Sequence, residues 1–97
     1  MRKIETLMNK AVATQSERFV LDNTTVLYVS HSLCSMVLLH NNLIATIQHG
    51  YAKIPTVHVN FDMFKQWPTR TTASRLRALG VNASLKQGMA AIDGVIL

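Results

Sequence analysis

Apolar residues recur along the start of the chain with the period of a helix. Ile4, Leu7, Met8, Ala11 and Val12 stand at i, i+3, i+4, i+7 and i+8. That spacing predicts an amphipathic helix over about residues 2–15, with Arg2, Lys3, Glu5, Asn9 and Lys10 on its wet side. Arg2 and Lys3 in the first turn oppose the helix dipole, a cost of a few tenths of a kcal/mol that by itself points to no function. From Thr24 the pattern changes. Thr25–Val29 is rich in β-branched and aromatic residues and follows the turn-like Asp22-Asn23, so it reads as a strand. Ser35–Leu39 and Leu43–Ile47 flank Asn41-Asn42; asparagine tolerates the positive φ that a two-residue hairpin turn requires. His49-Gly50 ends that run, Pro55 bounds the next, and Thr56–Phe61 gives one further strand.

A second helix is expected from about Thr69 to Leu79. At about 100° per residue, Thr72, Leu76 and Leu79 face one way with Ala73 at the margin. Arg70 and Arg77 then share an outer edge, and Arg75 points nearly opposite them. Gly80 suits a left-handed C-cap, with Val81 packing back onto the helix end. In the tail, Asp93-Gly94 is a strong two-residue turn signal, so Met89–Ile92 and Val95–Leu97 should pair. The expected architecture is α+β: an N-terminal amphipathic helix, an antiparallel β-meander, a basic second helix and a C-terminal β-hairpin.

Composition bounds this picture. Ninety-seven residues suit a single domain, residues 1–97, with one modest core. An apolar fraction of 48% with 15% charged residues is globular, not disordered. A formal charge of +5 draws the surface toward nucleic acid or an acidic protein face. The lone cysteine, Cys34, cannot form an internal disulfide and suits a reducing compartment. Met1-Arg2-Lys3 is followed by Ile4-Glu5-Thr6, with no apolar stretch of signal-peptide kind. No uninterrupted apolar run exceeds that of Met36–Leu39, far short of the ~18 residues of a membrane span. A cytoplasmic protein is expected.

Few residues nominate themselves for chemistry. His31, His40, His49 and His58 are evenly spaced, but hairpin geometry separates His40 from His49 by roughly 20 Å along a strand. No Cys-x-x-Cys or His-Glu-x-x-His pattern accompanies them, so no metal and no cofactor is expected. A turn at Asn41-Asn42 puts Cys34 opposite His49, the minimum for an activated thiol. That pair lacks an orienting acid and an oxyanion-hole signature, and a lone cysteine usually behaves as a small buried hydrophobe. The five carboxylates form no catalytic pair, and the four glycines are scattered singly. An enzyme is not expected.

Trp67-Pro68-Thr69-Arg70 carries the strongest binding signal. Proline disfavours helix at the residue before it and favours the first turn of one after it, so Pro68 marks a sharp entry to the second helix. Trp67, Pro68, Arg70, Arg75 and Arg77 are the candidate partner-binding residues, since aromatic and arginine side chains anchor interfaces. Phe61, Met63 and Phe64 lie near Trp67 in sequence; the plainer reading, favoured over docking, is that Trp67, Phe61 and Phe64 cap the core, as most aromatics in small domains do. The competing surface function is nucleic-acid binding, with Arg70 and Arg77 on phosphates and Thr69 and Thr71 adding backbone contacts. Against it, no helix precedes at helix-turn-helix distance and no aromatic stacking motif occurs.

Met1-Arg2-Lys3-Ile4-Glu5, Leu39-His40-Asn41-Asn42-Leu43-Ile44-Ala45 and Thr71-Thr72-Ala73-Ser74-Arg75-Leu76 resemble segments of small lambdoid-bacteriophage proteins. Within that group the chain is most similar to the small anti-RecBCD proteins, in length and in having a proline at the elbow, here Pro68. The resemblance equally admits a broader family of small phage proteins. It implies a protein in the bacterial host cytoplasm that binds the RecBCD helicase-nuclease and alters it by contact, so that linear phage DNA survives and recombines. It also implies recruitment of a host peptidyl-prolyl isomerase, with Trp67–Pro68 the attractive substrate bond. Direct nucleic-acid contact would be secondary.

Overall fold

The computed structural model describes residues 2–50 and 55–97. Helix α1 (Lys3–Ala13) leads into a five-stranded antiparallel meander: β1 (Arg18–Leu21), β2 (Thr24–Val29), β3 (Cys34–Leu39), β4 (Asn42–Gln48) and β5 (Thr56–Val59). Two helices follow, α2 (Phe61–Gln66) and α3 (Arg70–Ala78). A three-stranded antiparallel sheet closes the chain: β6 (Ala83–Lys86), β7 (Met89–Ile92) and β8 (Val95–Ile96). The α+β class and the element order predicted from the pattern hold.

The large sheet buries one face. Val26 on β2, Val37 on β3 and Ala45 on β4 are register partners and fully buried. Met8 and Ala11 of α1, Phe64 of α2 and Ala73 and Leu76 of α3 complete this core. The alternation of buried and half-buried residues along β3 is the two-residue period of a strand with one covered face. A bulge after Val37 lets Ile44 and Ala45 both turn inward, which a regular strand forbids.

Four two-residue turns give the sheets their compactness. Asp22-Asn23, His40-Asn41, Gln87-Gly88 and Asp93-Gly94 all have positive φ at both positions. That is the turn whose twist matches the flanking strands. The turn expected at Asn41-Asn42 therefore sits one residue earlier, because Asn42 begins β4 opposite Leu39. This shift and the bulge change the register, so Cys34 faces Gln48 and not His49.

Three elements went unforeseen. β1 is short and its Val20 and Leu21 are exposed, so its pattern is weak; it is defined by pairing across Asp22-Asn23. β6 extends the predicted terminal hairpin to three strands through Gln87-Gly88. The strand predicted to reach Phe61 ends at Val59, where Asn60 caps α2 by accepting from the Met63 N–H at 3.3 Å. Three residues separate α2 from α3, so a helix does precede the basic helix where none was expected. Glu5, assigned to the wet side of α1, is buried.

Among the described residues no helix is long and apolar enough to cross a membrane.

Candidate functional site

Two short helices set the geometry around Trp67. The Asn60 side chain caps α2 and also donates to the Leu43 carbonyl at 2.9 Å, tying the helix start to β4. Trp67 ends α2, its N–H donating to the Met63 carbonyl at 2.9 Å. Thr69 then caps α3: its Oγ1 accepts from the Thr72 N–H at 3.1 Å and shares a hydrogen bond with Thr72 Oγ1. Pro68 is half-buried between these caps, and its peptide bond is trans. The sharp helix entry predicted from Trp67-Pro68 is present.

The indole of Trp67 is 56% exposed. It borders a groove of about 340 Å³ with Leu39, Ile44 and Met63 as its apolar lining and His40 and Thr72 among its polar lining. Phe64 is not part of this surface: it is fully buried in the core. Phe61 is exposed, but it does not line the groove.

The three arginines of α3 part company. Arg70 and Arg77 are exposed and line one depression of about 630 Å³, joined there by Arg2 from the start of α1. Arg77 Nη1 donates to the Ala83 carbonyl at 3.0 Å, which fixes part of its guanidinium against β6. Arg75, expected as a third contact residue, is 4% exposed and unavailable to a partner. It donates from Nη1 to Glu5 Oε2 at 2.9 Å and from Nε to Thr24 Oγ1 at 3.1 Å. Helix periodicity already put Arg75 opposite Arg70 and Arg77; opposite an exposed edge is the core.

Glu5 is the counter-charge, a role the apolar pattern of α1 concealed. Burial pushes its carboxyl up, but hydrogen bonds from Ser74 Oγ, the Arg2 N–H and Arg75, together with the Arg75 charge, outweigh that and hold it below its ordinary value. The Arg2 N–H is 3.3 Å from Glu5 Oε1, so the same carboxylate steadies the start of α1.

The histidines and the cysteine disperse. His31, His40 and His58 are exposed, while His49 is buried. His49 Nε2 shares a 2.7 Å hydrogen bond with Ser35 Oγ and meets the Tyr28 ring edge-on. Ser35 is fully buried, so this pair satisfies two interior polar groups. Cys34 Sγ lies 3.3 Å from the Ser32 carbonyl and 3.4 Å from Gln48 Oε1, and not opposite His49 as the expected register had it. Among the described residues no three His, Cys, Asp or Glu side chains gather as a metal site would need. Ile54, whose bond to Pro55 is the other X-Pro bond of the chain, lies outside the described residues.

Comparison with curated proteins and with solved structures finds no match for the chain. The family model for the Kyanoviridae Gp96 protein matches residues 1–96, and the chain belongs to that phage protein family.

Proposed function

We propose that this phage protein works by contact, docking a host protein through the groove beside Trp67. The carrying observation is the large, half-exposed indole held on an elbow between two capped helices, next to an apolar groove. Aromatic side chains dominate interface energetics when a partner completes their burial. A presented indole whose backbone is already fixed loses little freedom on binding, which favours affinity. The formal charge of +5 suits a partner with an apolar anchor and an acidic surround.

The partner proposed is the host RecBCD helicase-nuclease, on the resemblance to small anti-RecBCD proteins. On this reading the protein inhibits or modifies RecBCD by contact, without catalysis, protecting linear phage DNA and favouring recombination. A host peptidyl-prolyl isomerase acting at Trp67–Pro68 is a second proposed partner, since Pro68 sets the direction in which the indole is presented.

The test is a binding measurement between the purified chain and RecBCD, with degradation of linear duplex DNA as the activity readout. Trp67→Ala should weaken the complex by about 2 kcal/mol, near 30-fold in Kd. Its stability should be nearly unchanged because the side chain is already half in water. Absence of a complex at micromolar concentrations removes RecBCD as the target. A complex indifferent to Trp67→Ala removes the groove as its contact.

A further inference from the structure

The surface carries a second feature, on the other flank of α3, that the Trp67 contact does not use. Arg70 and Arg77 stand two turns apart on α3, and Arg2 reaches the same depression from α1. A second concavity of about 440 Å³ is lined by Arg2 and Arg77 as well, so the basic surface continues past the first. Its one carboxylate, Glu5, is already matched by Arg75 and Ser74. Among the described residues Glu5–Arg75 is the one ion pair, so Arg2, Arg70 and Arg77 are left with no carboxylate partner.

Three like charges around one concavity repel each other. They also focus a positive potential into it. Guanidinium groups are weakly hydrated forks suited to phosphate oxygens. Arg77 uses one donor on Ala83 O and keeps four of the five a guanidinium carries, in a fixed orientation. Between Arg70 and Arg77 the helix rises about 10.5 Å, close to three steps of a DNA strand at ~3.4 Å each. Ala73, Leu85 and Gly88 complete the lining of the depression. No aromatic ring lines it, so bases have nothing to stack on there.

We propose that the Arg2–Arg70–Arg77 depression binds the phosphodiester backbone of a nucleic acid, without reading its sequence. The site is separate from the Trp67 groove and does not depend on RecBCD being the protein partner. Backbone contacts of this kind position a strand and make its binding steeply salt-dependent.

Fluorescence anisotropy of the full chain with a labelled strand of about 20 nucleotides, titrated from about 25 to 200 mM salt, tests this. Three engaged phosphates give a log–log salt slope of about −2 for single-stranded and −2.7 for duplex DNA. Arg70→Gln and Arg2→Gln should each flatten that slope by about 0.7 to 0.9. Arg18→Gln, which removes the same charge from edge strand β1, should leave the slope unchanged. Thermal midpoints of the variants confirm that each is folded, and Arg70 makes no hydrogen bond among the described residues that its loss would break.

No binding at the lowest salt overturns the proposal. So does an equal loss for Arg18→Gln and Arg70→Gln, which marks diffuse attraction by net charge. A mononucleotide that binds as well as the strand overturns it in favour of a small-ligand phosphate site. A polyglutamate peptide that binds as well, with the same dependence on Arg70, overturns it in favour of an acidic protein segment.

Discussion

Replacing Glu5 by alanine tests the energetic centre of the fold. The substitution removes the acceptor of the 2.9 Å bond from Arg75, the partner of Ser74 Oγ and the acceptor for the Arg2 N–H. Arg75 would keep its bond to Thr24 Oγ1, but its charge would stay buried with no counter-charge. Breaking a buried pair from one side costs about 3–5 kcal/mol, because the remaining charge cannot recover its hydration. A small domain holds only about 5–15 kcal/mol in total. At about 4 °C or more per kcal/mol for a domain of this size, the midpoint should fall by at least about 12 °C.

Urea denaturation gives the free energy and thermal denaturation the midpoint. The double substitution Glu5→Met with Arg75→Met removes both charges together, so it should cost much less than the two single changes added. A loss below about 1 kcal/mol for Glu5→Ala refutes the reasoning, since that is what exposed pairs contribute. The pair also has an acid signature. Its carboxyl titrates below 4.5 in the folded chain and near that value when unfolded. The folded state therefore binds fewer protons in this range. Its stabilisation is complete above about pH 5.5 and is lost as pH falls through 4.5 toward the folded value. Glu5→Gln has no such titration, so the stability gap between it and the natural chain should be flat near neutrality and narrow in acid. A gap that widens as pH falls contradicts the depressed carboxyl.

Substitutions at two further positions probe the scaffold of the candidate site. Gly80 ends α3 at φ +93, with the Gly80 N–H bonded to Arg77 O and the Val81 N–H to Leu76 O. An added Cβ meets open space, so Gly80→Ala should cost about 1 kcal/mol through backbone strain alone, read as a midpoint about 4–8 °C lower. Asn60→Ala removes the α2 cap and the bond to Leu43 and should cost about 1–2 kcal/mol by urea denaturation. Asn60→Asp, which keeps the cap acceptor and loses the donor, should fall between the two.

The long-period features were legible in the sequence. The apolar spacing of α1, the Thr69–Leu79 helix with its Gly80 cap and the Asp93-Gly94 hairpin rest on local chemistry, and the structure has them. What escaped is set by pairing at a distance. β1 exists because Asp22-Asn23 folds it back on β2, and six residues of α2 are too few to show a helical period. The register of β3 and β4 depended on which residue after Leu39 takes positive φ. His40 takes it, a residue less favoured there than asparagine, which moves the partner of Cys34 two places from His49, and the bulge then restores one of them.

The burial of Arg75 was within reach of the same helical wheel that located its neighbours. Relative to Arg70, Arg77 falls within about 20° and Arg75 at about 140°, beside Leu79 at about 180° and Thr72 at about 200°. A charge so close to the apolar stripe of a short helix either reaches past its edge to water or finds a partner inside. The partner is Glu5, which looked like a solvent residue because it follows Ile4 on a helix whose buried face seemed already filled. Each charge is conspicuous only when the other is placed against it, and they stand 70 positions apart. Their mutual neutralisation leaves the basic character of α3 to Arg70 and Arg77, on one flank. The indole stands over the other. One helix of nine residues thus separates a charged surface from an apolar one.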